Sequence, residues 1–386
     1  MLASSVSLHS KLPAIGQTIF SKMSEMAQKF GAINMAQGFP DTALDPSLKE
    51  EVLAAMELEL NQYAPAYGTL ELRKSIANYA KKVFEQAYDP NKEILVTSGA
   101  TQAIQSSIQA LVKEGDEVII FTPAYDCYAP LVELAGATPV FCRLKFPDYS
   151  IDWTEFKRLL NRRTKMVIVN TPHNPSGRML TEADIDELIK LTEGTDVVLL
   201  SDEVYHNIVF DGKEHKSLAS YPKLAERAVI IGSFGKMLNV TGWKVGFCLA
   251  PKVILQEIVK VHQFTVFSVN TPVQLGIANY LSKYPEKVQL SIADLESKRD
   301  LFIKALKPGK FKVLPCEGSY FCLLDYSKIS DMDDEEFAEQ LCKEHGVAAI
   351  PLSVFYHNPE QNKVLRFCFA KDDAVLLAAA EKLNSL

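Results

Sequence analysis

The sequence lacks the cysteine and histidine patterns that hold a structural metal. Its 386 residues include seven cysteines and seven histidines, but no CxxC pair and no HxxxH arrangement occurs. The cysteines stand among apolar neighbours, as in "FCRL" and "GFCLA". Because an odd number of scattered cysteines does not suggest a disulfide framework, we expect reduced core cysteines and no metal site.

A long apolar run and an excess of positive charge are also missing. The apolar runs are strand-length, well short of the roughly 20 residues that cross a bilayer, and the first residues do not resemble a signal peptide. Acidic residues outnumber basic ones by 48 to 41, for a formal net charge of −7. Since non-specific nucleic-acid binding depends on a positive surface, we expect no nucleic-acid partner. Because a long apolar run and a signal-peptide pattern are both missing, we also expect no membrane partner and a cytoplasmic location.

What the sequence does contain, from about residue 45 to 250, is an alternation of short apolar runs with amphipathic helical stretches. "TEADIDELIKLTEG", with a threonine cap and a terminal glycine, is one such helix. Apolar strands separated by helices predict an α/β fold, with a mostly parallel seven-stranded sheet covered on both faces. The seven runs lie at 93–97, 117–121, 138–142, 166–170, 197–201, 228–232 and 245–250.

The pattern changes after residue 285. A polar, helix-like stretch, "EKVQLSIADLESKRDLFIKAL", precedes a mixture of shorter strand-like and helical segments. Because 386 residues exceed what one hydrophobic core usually serves, this change predicts a smaller α+β domain joined by a long helix. We expect an N-terminal arm and part of the small domain at 1–45, a large domain at 46–285 and a small C-terminal domain at 286–386.

Residues suited to ligand binding follow four of the predicted strands. In an open parallel sheet, ligands bind beyond the carboxyl ends of the strands. The run at 93–97 is followed by "SGATQAIQ", a small-residue turn into a helix whose first N–H groups could hold a phosphate. Asn174, Asp202 and Lys236 follow three later runs. A buried carboxylate needs a cation or donor, and a desolvated lysine has the lowered pKa of a nucleophilic amine.

Each of these signals has an alternative interpretation when taken alone. The small-residue turn fits a strand-to-helix connection with Thr101 as a local cap, and Asn174 fits a proline–asparagine turn. Asp202 fits an internal ion pair, and Lys236 fits a surface loop. Because all four lie at one edge of one sheet, we interpret them together as a site for a planar phosphorylated cofactor with an aldehyde and a ring nitrogen, as in pyridoxal phosphate enzymes.

Seven segments carry a resemblance to a known family, and it extends over roughly residues 11 to 386. The chain resembles the class I/II pyridoxal-phosphate-dependent aminotransferases of fold type I, and is most similar to the methionine aminotransferase and kynurenine/glutamine aminotransferase branch. The resemblance implies a pyridoxal 5′-phosphate cofactor bound by the large domain. The segments are "INMAQGFPD", "NQYAP..G...LR", "TSGATQA", "NTPHNPSG", "SDEVY", "SFGKMLNVTGWKVGF" and "VLRFCFA".

The resemblance implies roles around the cofactor ring. Lys236 would form the Schiff base with the cofactor and then act as base and acid in the proton shift. Asp202 would keep the ring nitrogen protonated, while Asn174 and Tyr205 would hydrogen-bond the ring oxygen O3′. Tyr125 matches the aromatic residue that stacks on the ring, with ordinary core packing as the alternative.

The resemblance also implies a phosphate site that two subunits share. Ala100 and Thr101 would donate backbone N–H groups, with Ser233 and Lys244 completing the cup. Many relatives carry arginine at the position of Lys244, so the phosphate would lose a bidentate contact but keep a point charge. Tyr63 matches a tyrosine that reaches the neighbouring subunit's phosphate, which implies a homodimer; an ordinary packed aromatic is the alternative.

Substrate binding is implied for residues at both ends of the chain. Arg366 matches the residue that grips the substrate α-carboxylate through two parallel hydrogen bonds, with a structural ion pair as the alternative. Gly38 and Asn174 would lie beside the same carboxylate. Phe267 resembles an aromatic wall, and the segment 262–270 has no arginine of the kind that dicarboxylate-specific relatives use. Further residues of the wall would be Ile15, Phe20 and Tyr63.

The resemblance therefore implies transfer of an amino group from methionine, phenylalanine, tyrosine, histidine or glutamine to a 2-oxo acid. One alternative is a carbon–sulfur β-lyase, which uses the same cofactor and lysine but expels a thiol from Cβ. A nucleotide-binding dehydrogenase is excluded because no GxGxxG follows the first strand. A non-catalytic regulatory protein on this fold would tolerate loss of Lys236 or Asp202, and both residues are present.

Overall fold

The computed structural model describes residues 7, 9–13, 15–41, 43–358 and 362–386. The helices of this part of the chain are α1 (Ile19–Phe30), α2 (Pro46–Glu57), α3 (Leu70–Val83), α4 (Gly99–Leu111), α5 (Tyr128–Leu134), α6 (Trp153–Leu159), α7 (Glu182–Thr192), α8 (Pro222–Ala225), α9 (Phe234–Met237), α10 (Lys252–Thr265), α11 (Thr271–Lys283), α12 (Lys287–Ala305), α13 (Asp334–Glu344) and α14 (Asp373–Asn384). The strands are β1 (Ile33–Asn34), β2 (Ile94–Thr97), β3 (Glu117–Thr122), β4 (Thr138–Lys145), β5 (Ser150–Ile151), β6 (Thr164–Asn170), β7 (Val198–Asp202), β8 (Ala228–Ser233), β9 (Gly246–Leu249), β10 (Lys312–Val313), β11 (Phe321–Asp325), β12 (Val347–Ala348), β13 (Ile350–Pro351) and β14 (Val364–Cys368).

The largest sheet has the strand order β2-β9-β8-β7-β6-β3-β4-β5. The strands β8, β7, β6, β3 and β4 are parallel to their neighbours in this group. By contrast, β9 runs antiparallel to both β2 and β8, and β5 runs antiparallel to β4. The predicted α/β fold with a mostly parallel sheet is confirmed, and the seven predicted runs are β2, β3, β4, β6, β7, β8 and β9.

The sheet has one strand more than the seven predicted. Strand β5 is two residues long and pairs with the end of β4, with Leu144 opposite Ile151 and Lys145 opposite Ser150. The chain turns back through Tyr149, which has a φ of 54° and whose N–H donates to Lys145 O at 2.6 Å. Two residues are too few to show an alternating pattern in a sequence. The strand is therefore recognised only in the structure, where the turn brings β5 alongside the end of β4.

Packing on both faces explains why the central strands are uniformly apolar. Every residue of β2, β3, β7 and β8 is buried, as expected for a parallel sheet that helices cover on both sides. The covering helix α7 begins at the predicted threonine cap. Thr181 Oγ1 accepts the N–H of Asp184, and the Asp184 carboxylate accepts the N–H of Thr181, which satisfies two N–H groups at the helix start.

A second, antiparallel sheet has the order β10-β11-β14-β13. Arg366 lies in its β14 strand, paired with Leu323 on one side and Ile350 on the other. The short strand β1 pairs in parallel with β12, which brings Ile33 opposite Val347. The N-terminal segment therefore packs with the C-terminal part of the chain, while the domain boundaries at residues 45 and 285 stay a prediction.

The described residues include no helix that is long and apolar enough to cross a membrane. Within the same ranges, no group of three or more histidine, cysteine, aspartate or glutamate side chains is arranged to hold a metal ion. All seven cysteines are free thiols, and five of them are buried. They behave as small core side chains, because burial raises the pKa of thiols such as that of Cys368.

Candidate active site

A cavity of about 720 Å³, including the space at its mouth, lies where β6, β7 and β8 end. Asn170 and Asp202, the last residues of β6 and β7, are register partners. Ser233, the last residue of β8, pairs with Gly246 of β9. Parallel strands thus deliver their final side chains to one edge of the sheet. Nine of the thirteen predicted site residues line the cavity: Ala100, Thr101, Tyr125, Asn174, Asp202, Tyr205, Ser233, Lys236 and Lys244.

Lys236 is carried by α9, the short helix that begins directly after β8. Its Nζ donates to Gly38 O at 3.1 Å and to Tyr320 Oη at 2.5 Å, and it lies 5.6 Å from the centre of the Tyr205 ring. No carboxylate among the described residues forms an ion pair with it. Burial lowers the pKa of Lys236 to about 8, so a neutral, nucleophilic amine is available near neutral pH.

The carboxylate of Asp202 lies at the end of β7 with 4% of its surface exposed. Tyr128 Oη donates to one carboxylate oxygen at 2.6 Å, and the N–H of Val204 donates to the other at 3.3 Å. Burial raises the pKa of Asp202 to about 6. Two neutral donors do not balance a buried negative charge, so this position favours a ligand with a cationic group.

At another side of the cavity, the first turn of α4 faces Lys244. Ser98, at the helix cap, makes no side-chain hydrogen bond to the helix. A Cβ on Gly99 would lie 3.3 Å from Lys244 Cε and Nζ, so glycine keeps the space between helix and lysine open. Lys244 has no ion-pair partner in the described part of the chain. N–H groups at a helix start and an unpaired lysine together favour an anion.

Arg366 is 1% exposed and is held by neutral acceptors. Its guanidinium donates to Asn174 Oδ1 at 2.8 Å and to Ala36 O at 3.2 Å. The described residues provide it with no carboxylate partner, and its Nε has no hydrogen-bond partner. Burial lowers its pKa to about 10, yet it stays charged near neutral pH. Aromatic rings lie 3.8 to 5.3 Å from the guanidinium carbon, namely those of Phe321, Phe355 and Phe20.

Three further predicted residues lie in or beside the cavity. Tyr205 is 4% exposed and lines the cavity, as does Tyr125, whose ring contacts that of Tyr128 edge-on at 5.8 Å. Gly38 is not part of the lining, but its carbonyl accepts the hydrogen bond from the catalytic lysine candidate. A Cβ on Gly38 would lie 2.7 Å from Phe321 Cζ, so only glycine fits this approach of backbone to ring.

The structure does not bring Tyr63 and Phe267 to the cavity of their own chain. Their rings contact each other edge-on at 5.2 Å, and the two residues are 82% and 51% exposed. Ile15 is 56% exposed and also lies outside the lining, whereas Phe20 packs near Arg366. Apart from Phe20, the residues of the proposed wall therefore lie on an exposed surface in a single chain.

Sequence reasoning missed three polar residues at the site. Tyr128 binds the buried carboxylate at the end of β7, and Asn170 accepts the N–H of Asn174 while donating to Asp202 O. The sequence offered a signal for both, because Asn170 ends an apolar run and Tyr128 lies only three positions after the predicted site residue Tyr125. Tyr320 precedes β11, and nothing in its local sequence indicates contact with the lysine amine.

These groups fit pyridoxal phosphate in their chemistry. The α4 start and Lys244 suit its phosphate, Asp202 suits its protonated ring nitrogen, and the Lys236 amine can form an imine with its aldehyde. The unpartnered Arg366 Nε leaves a donor for a substrate carboxylate. A site with all four features can bind an amino acid next to the cofactor and move protons at the amino acid's Cα.

Comparisons with known proteins point to the same chemistry. The family described as "Aminotransferase class I and II" matches residues 31–383. The chain is 47% identical over 378 residues to the methionine aminotransferase of Escherichia coli K12, and the match covers 98% of each protein. It is 35% identical over 413 residues to Homo sapiens kynurenine–oxoglutarate transaminase 3, with 97% of this chain and 89% of the relative covered.

Two solved structures are also similar. The structure of E. coli YbdL, reported with a methionine aminotransferase function, matches with a TM-score of 0.96 at 47% identity over 99% of this chain and 100% of that one. N-succinyldiaminopimelate aminotransferase from Mycobacterium tuberculosis matches with a TM-score of 0.94 at 34% identity over 98% and 100%.

Proposed function

This chain belongs to the class I and II aminotransferase family, and from that membership we propose that methionine, or a similar apolar or aromatic amino acid, is its amino donor and a 2-oxo acid its acceptor. Enzymes of this family depend on pyridoxal phosphate, and the chain is an aminotransferase of that kind. The observation that carries the proposal is the set of Lys236, Asp202 and Lys244 in one cavity, since these three match the aldehyde, ring nitrogen and phosphate of the cofactor.

Lys236 would bond to the cofactor and handle the proton of the substrate. When bound, the cofactor supplies an aldehyde that takes up the amino group and a ring that holds the electrons left at Cα. The released Lys236 amine would take the Cα proton at its Nζ and would then give it to the carbon that came from the cofactor's aldehyde, so that the amino group stays with the cofactor. Its pKa of about 8 supports both steps, because a neutral and a protonated amine are then both populated near neutral pH.

The residues around the ring would fix its charge and orientation. Asp202 would pair with the protonated ring nitrogen, and low exposure strengthens this ion pair. Tyr128 holds the Asp202 carboxylate in place. Asn174 and Tyr205 would hydrogen-bond the ring oxygen, and Tyr125 would stack on the ring face. The phosphate would be held by backbone N–H groups and two side chains, contributed by Ala100, Thr101, Ser233 and Lys244.

Arg366 would bind the α-carboxylate of the amino acid. Its Nε lacks a partner, and its two other nitrogens donate only to neutral oxygens. A carboxylate offers stronger, charge-assisted hydrogen bonds than the Asn174 amide or the Ala36 carbonyl. Gly38 lies on the same chain segment as Ala36, so its backbone would lie beside the carboxylate. These contacts would orient the Cα–H bond towards the lysine amine that removes its proton.

The side-chain specificity would depend on a second copy of the chain. Tyr63 and Phe267 are too exposed to be explained as core, and Phe264 nearby in sequence is 88% exposed. We define these three residues as the aromatic patch. Such a patch supports a homodimer in which it contributes to the partner's site.

We further propose that residues 46–285 form the large domain that binds the cofactor, and that residues 1–45 and 286–386 form the smaller part.

We expect Phe264→Asp to disrupt the homodimer. The substitution puts a charge into an apolar interface. The molar mass measured by analytical ultracentrifugation should therefore fall from that of two chains, each of 43.0 kDa, towards that of one chain. Transamination should fall in parallel, because each site would then lack the partner's aromatic patch. Leu377→Asp, on the exposed face of α14, is the control and should leave both unchanged. An active monomer of the wild-type chain would contradict the proposal.

We expect methionine to be used at least about tenfold more efficiently than aspartate, as measured by kcat/KM with one fixed 2-oxo acid. The segment 262–270 contains no arginine, so a second carboxylate would be desolvated without a partner, at a cost of several kcal/mol. Faster turnover of aspartate would refute this specificity. Pyruvate release from cystathionine without any added 2-oxo acid serves as the control, because it would reveal a β-lyase.

A further inference from the structure

Tyr320 lies directly against the amine of Lys236, although it is 84 residues away in the sequence. It precedes β11, and its side chain has no exposed surface. Its hydroxyl lies 2.5 Å from Lys236 Nζ and 2.6 Å from Gly38 O, and its ring packs edge-on against Tyr205 with the centres 5.1 Å apart. The Lys236 amine also donates to Gly38 O at 3.1 Å. The amine, the phenol and the carbonyl thus form a closed triangle.

The direction of these hydrogen bonds follows from the groups involved. A carbonyl oxygen only accepts, so the single phenol proton of Tyr320 is donated to Gly38 O. The phenol oxygen then accepts an N–H from Lys236. Burial raises the pKa of Tyr320 well above its ordinary value, so the phenol keeps its proton and offers the amine a neutral acceptor.

The Gly38 end of the triangle belongs to a segment that is attached to the second sheet. Within this 35–41 segment, Met35 O accepts the N–H of Cys368 at 2.8 Å, and the N–H of Asp41 donates to Ala370 O at 3.2 Å. Arg366 donates to Ala36 O. The carbonyl that meets the lysine amine is therefore fixed to the strand that carries the substrate-binding arginine.

We propose that Tyr320 is a positioning residue for Lys236, which holds the free amine beside Gly38 and thereby on the side of the cavity where Arg366 would place the substrate. The inference rests on the function proposed above and adds a residue to it. A hydrogen bond from a charged donor is stronger than one from a neutral donor. The Tyr320 oxygen therefore stabilises the protonated amine more than the neutral one.

This reasoning sets the expected effect of Tyr320→Phe, which removes the hydroxyl and keeps the ring. The other titratable and charged groups that act on the amine, Asp202, Lys244, Arg366 and Cys368, are unchanged in this variant. Without its acceptor, the amine should therefore lose its proton about one pH unit lower. The full chain, freed of cofactor, captures pyridoxal phosphate only through the neutral amine, so its capture rate should rise with pH. We expect the midpoint of that rise near pH 8 in the wild type and about one unit lower in the variant. The same shift should occur in the pH profile of kcat for methionine in the holoenzyme.

Tyr326→Phe is the matched control. Tyr326 is also fully buried, and its hydroxyl donates to a backbone carbonyl, Met332 O, at 2.9 Å outside the cavity. This variant should lower the melting temperature and leave both pH profiles unchanged. A purely structural role for Tyr320 would give the same result. Tyr320→Met, with a flexible side chain that also lacks a hydroxyl, should reproduce the pH shift and decides the question if Tyr320→Phe does not fold.

The outcomes separate this inference from the proposed function. If the wild-type chain captures pyridoxal phosphate and transaminates methionine while the folded Tyr320 variants keep wild-type pH profiles, the positioning role is wrong and the proposed function stands. If the wild type neither captures the cofactor nor transaminates, both are wrong. A shift of both pH profiles in the Tyr320 variants, with none in Tyr326→Phe, supports the inference.

Discussion

Transamination of methionine by a Lys236→Ala variant should be at least about 10³-fold slower than by the wild type. The substitution removes the only amine that contacts both Gly38 and Tyr320 in the described site. In our proposal, this is the group that would bond to the cofactor and carry the Cα proton. The rate is measured as 2-oxo acid formed from methionine. Bound cofactor is followed by visible absorbance, which should no longer show a protein-bound imine.

Lys260→Ala is the control for this experiment. Lys260 is also on a helix, its side chain is 66% exposed, and within the described part of the chain it forms an ion pair only with Glu257. Its loss should leave both the rate and the spectrum unchanged. A Lys236→Ala variant that retains more than a tenth of the wild-type rate would contradict the assignment, and so would one that still forms an imine with the cofactor.

The second large effect is expected for Asp202→Asn, which keeps the shape of the side chain and removes its charge. In our proposal, the cofactor's ring nitrogen would then lose the ion pair that keeps it protonated, and electrons at Cα would be less well stabilised. We expect kcat for methionine to fall about 10²- to 10³-fold, the usual cost of losing one electrostatic contact to a transition state. A change of less than threefold would show that this carboxylate does not face the ring.

The same substitution should stabilise the cofactor-free chain. Burial raises the pKa of Asp202 from 3.8 to about 6, so the folded state binds this proton more tightly than the unfolded state does. The group's contribution to stability is therefore complete below pH 3.8 and is lost as the pH rises to about 6. At pH 7, the free energy of unfolding of Asp202→Asn should exceed that of the wild type by about 1–3 kcal/mol. Below pH 3.8, where the carboxyl group is protonated in both the folded and the unfolded state, this difference should vanish.

Glu203, the next residue, provides a contrast of opposite sign. It is fully buried, but its carboxylate accepts hydrogen bonds from His215, Ser201 and the N–H of Leu218. Although its burial opposes ionisation, these partners hold its pKa below the ordinary value. Glu203→Gln should therefore lower the free energy of unfolding at pH 7, measured in the same way as for Asp202→Asn. Equal signs for the two variants would contradict the distinction between a ligand-binding and a structural carboxylate.

The sequence predicted most of the fold because hydrophobic patterning is local. Seven apolar runs became seven strands of the large sheet, and the threonine cap of α7 was readable from four residues. The eighth strand, β5, was missed because two residues carry no period. In the cavity, Asn174, Asp202 and Lys236 were predictable because each follows an apolar run, and parallel strands end at one edge.

Tertiary structure alone decided which of the site's residues contact one another. Arg366 meets Asn174 across 192 residues of chain, and Tyr320 meets Gly38 across 282; no local pattern encodes such contacts. Tertiary structure also set the electrostatics, because the same aspartate or lysine has an ordinary pKa in solvent and a shifted one when buried. The sequence by itself determined which residue types end the strands. Burial and long-range packing determined which of them carry an unbalanced charge, and hence where a charged cofactor would bind.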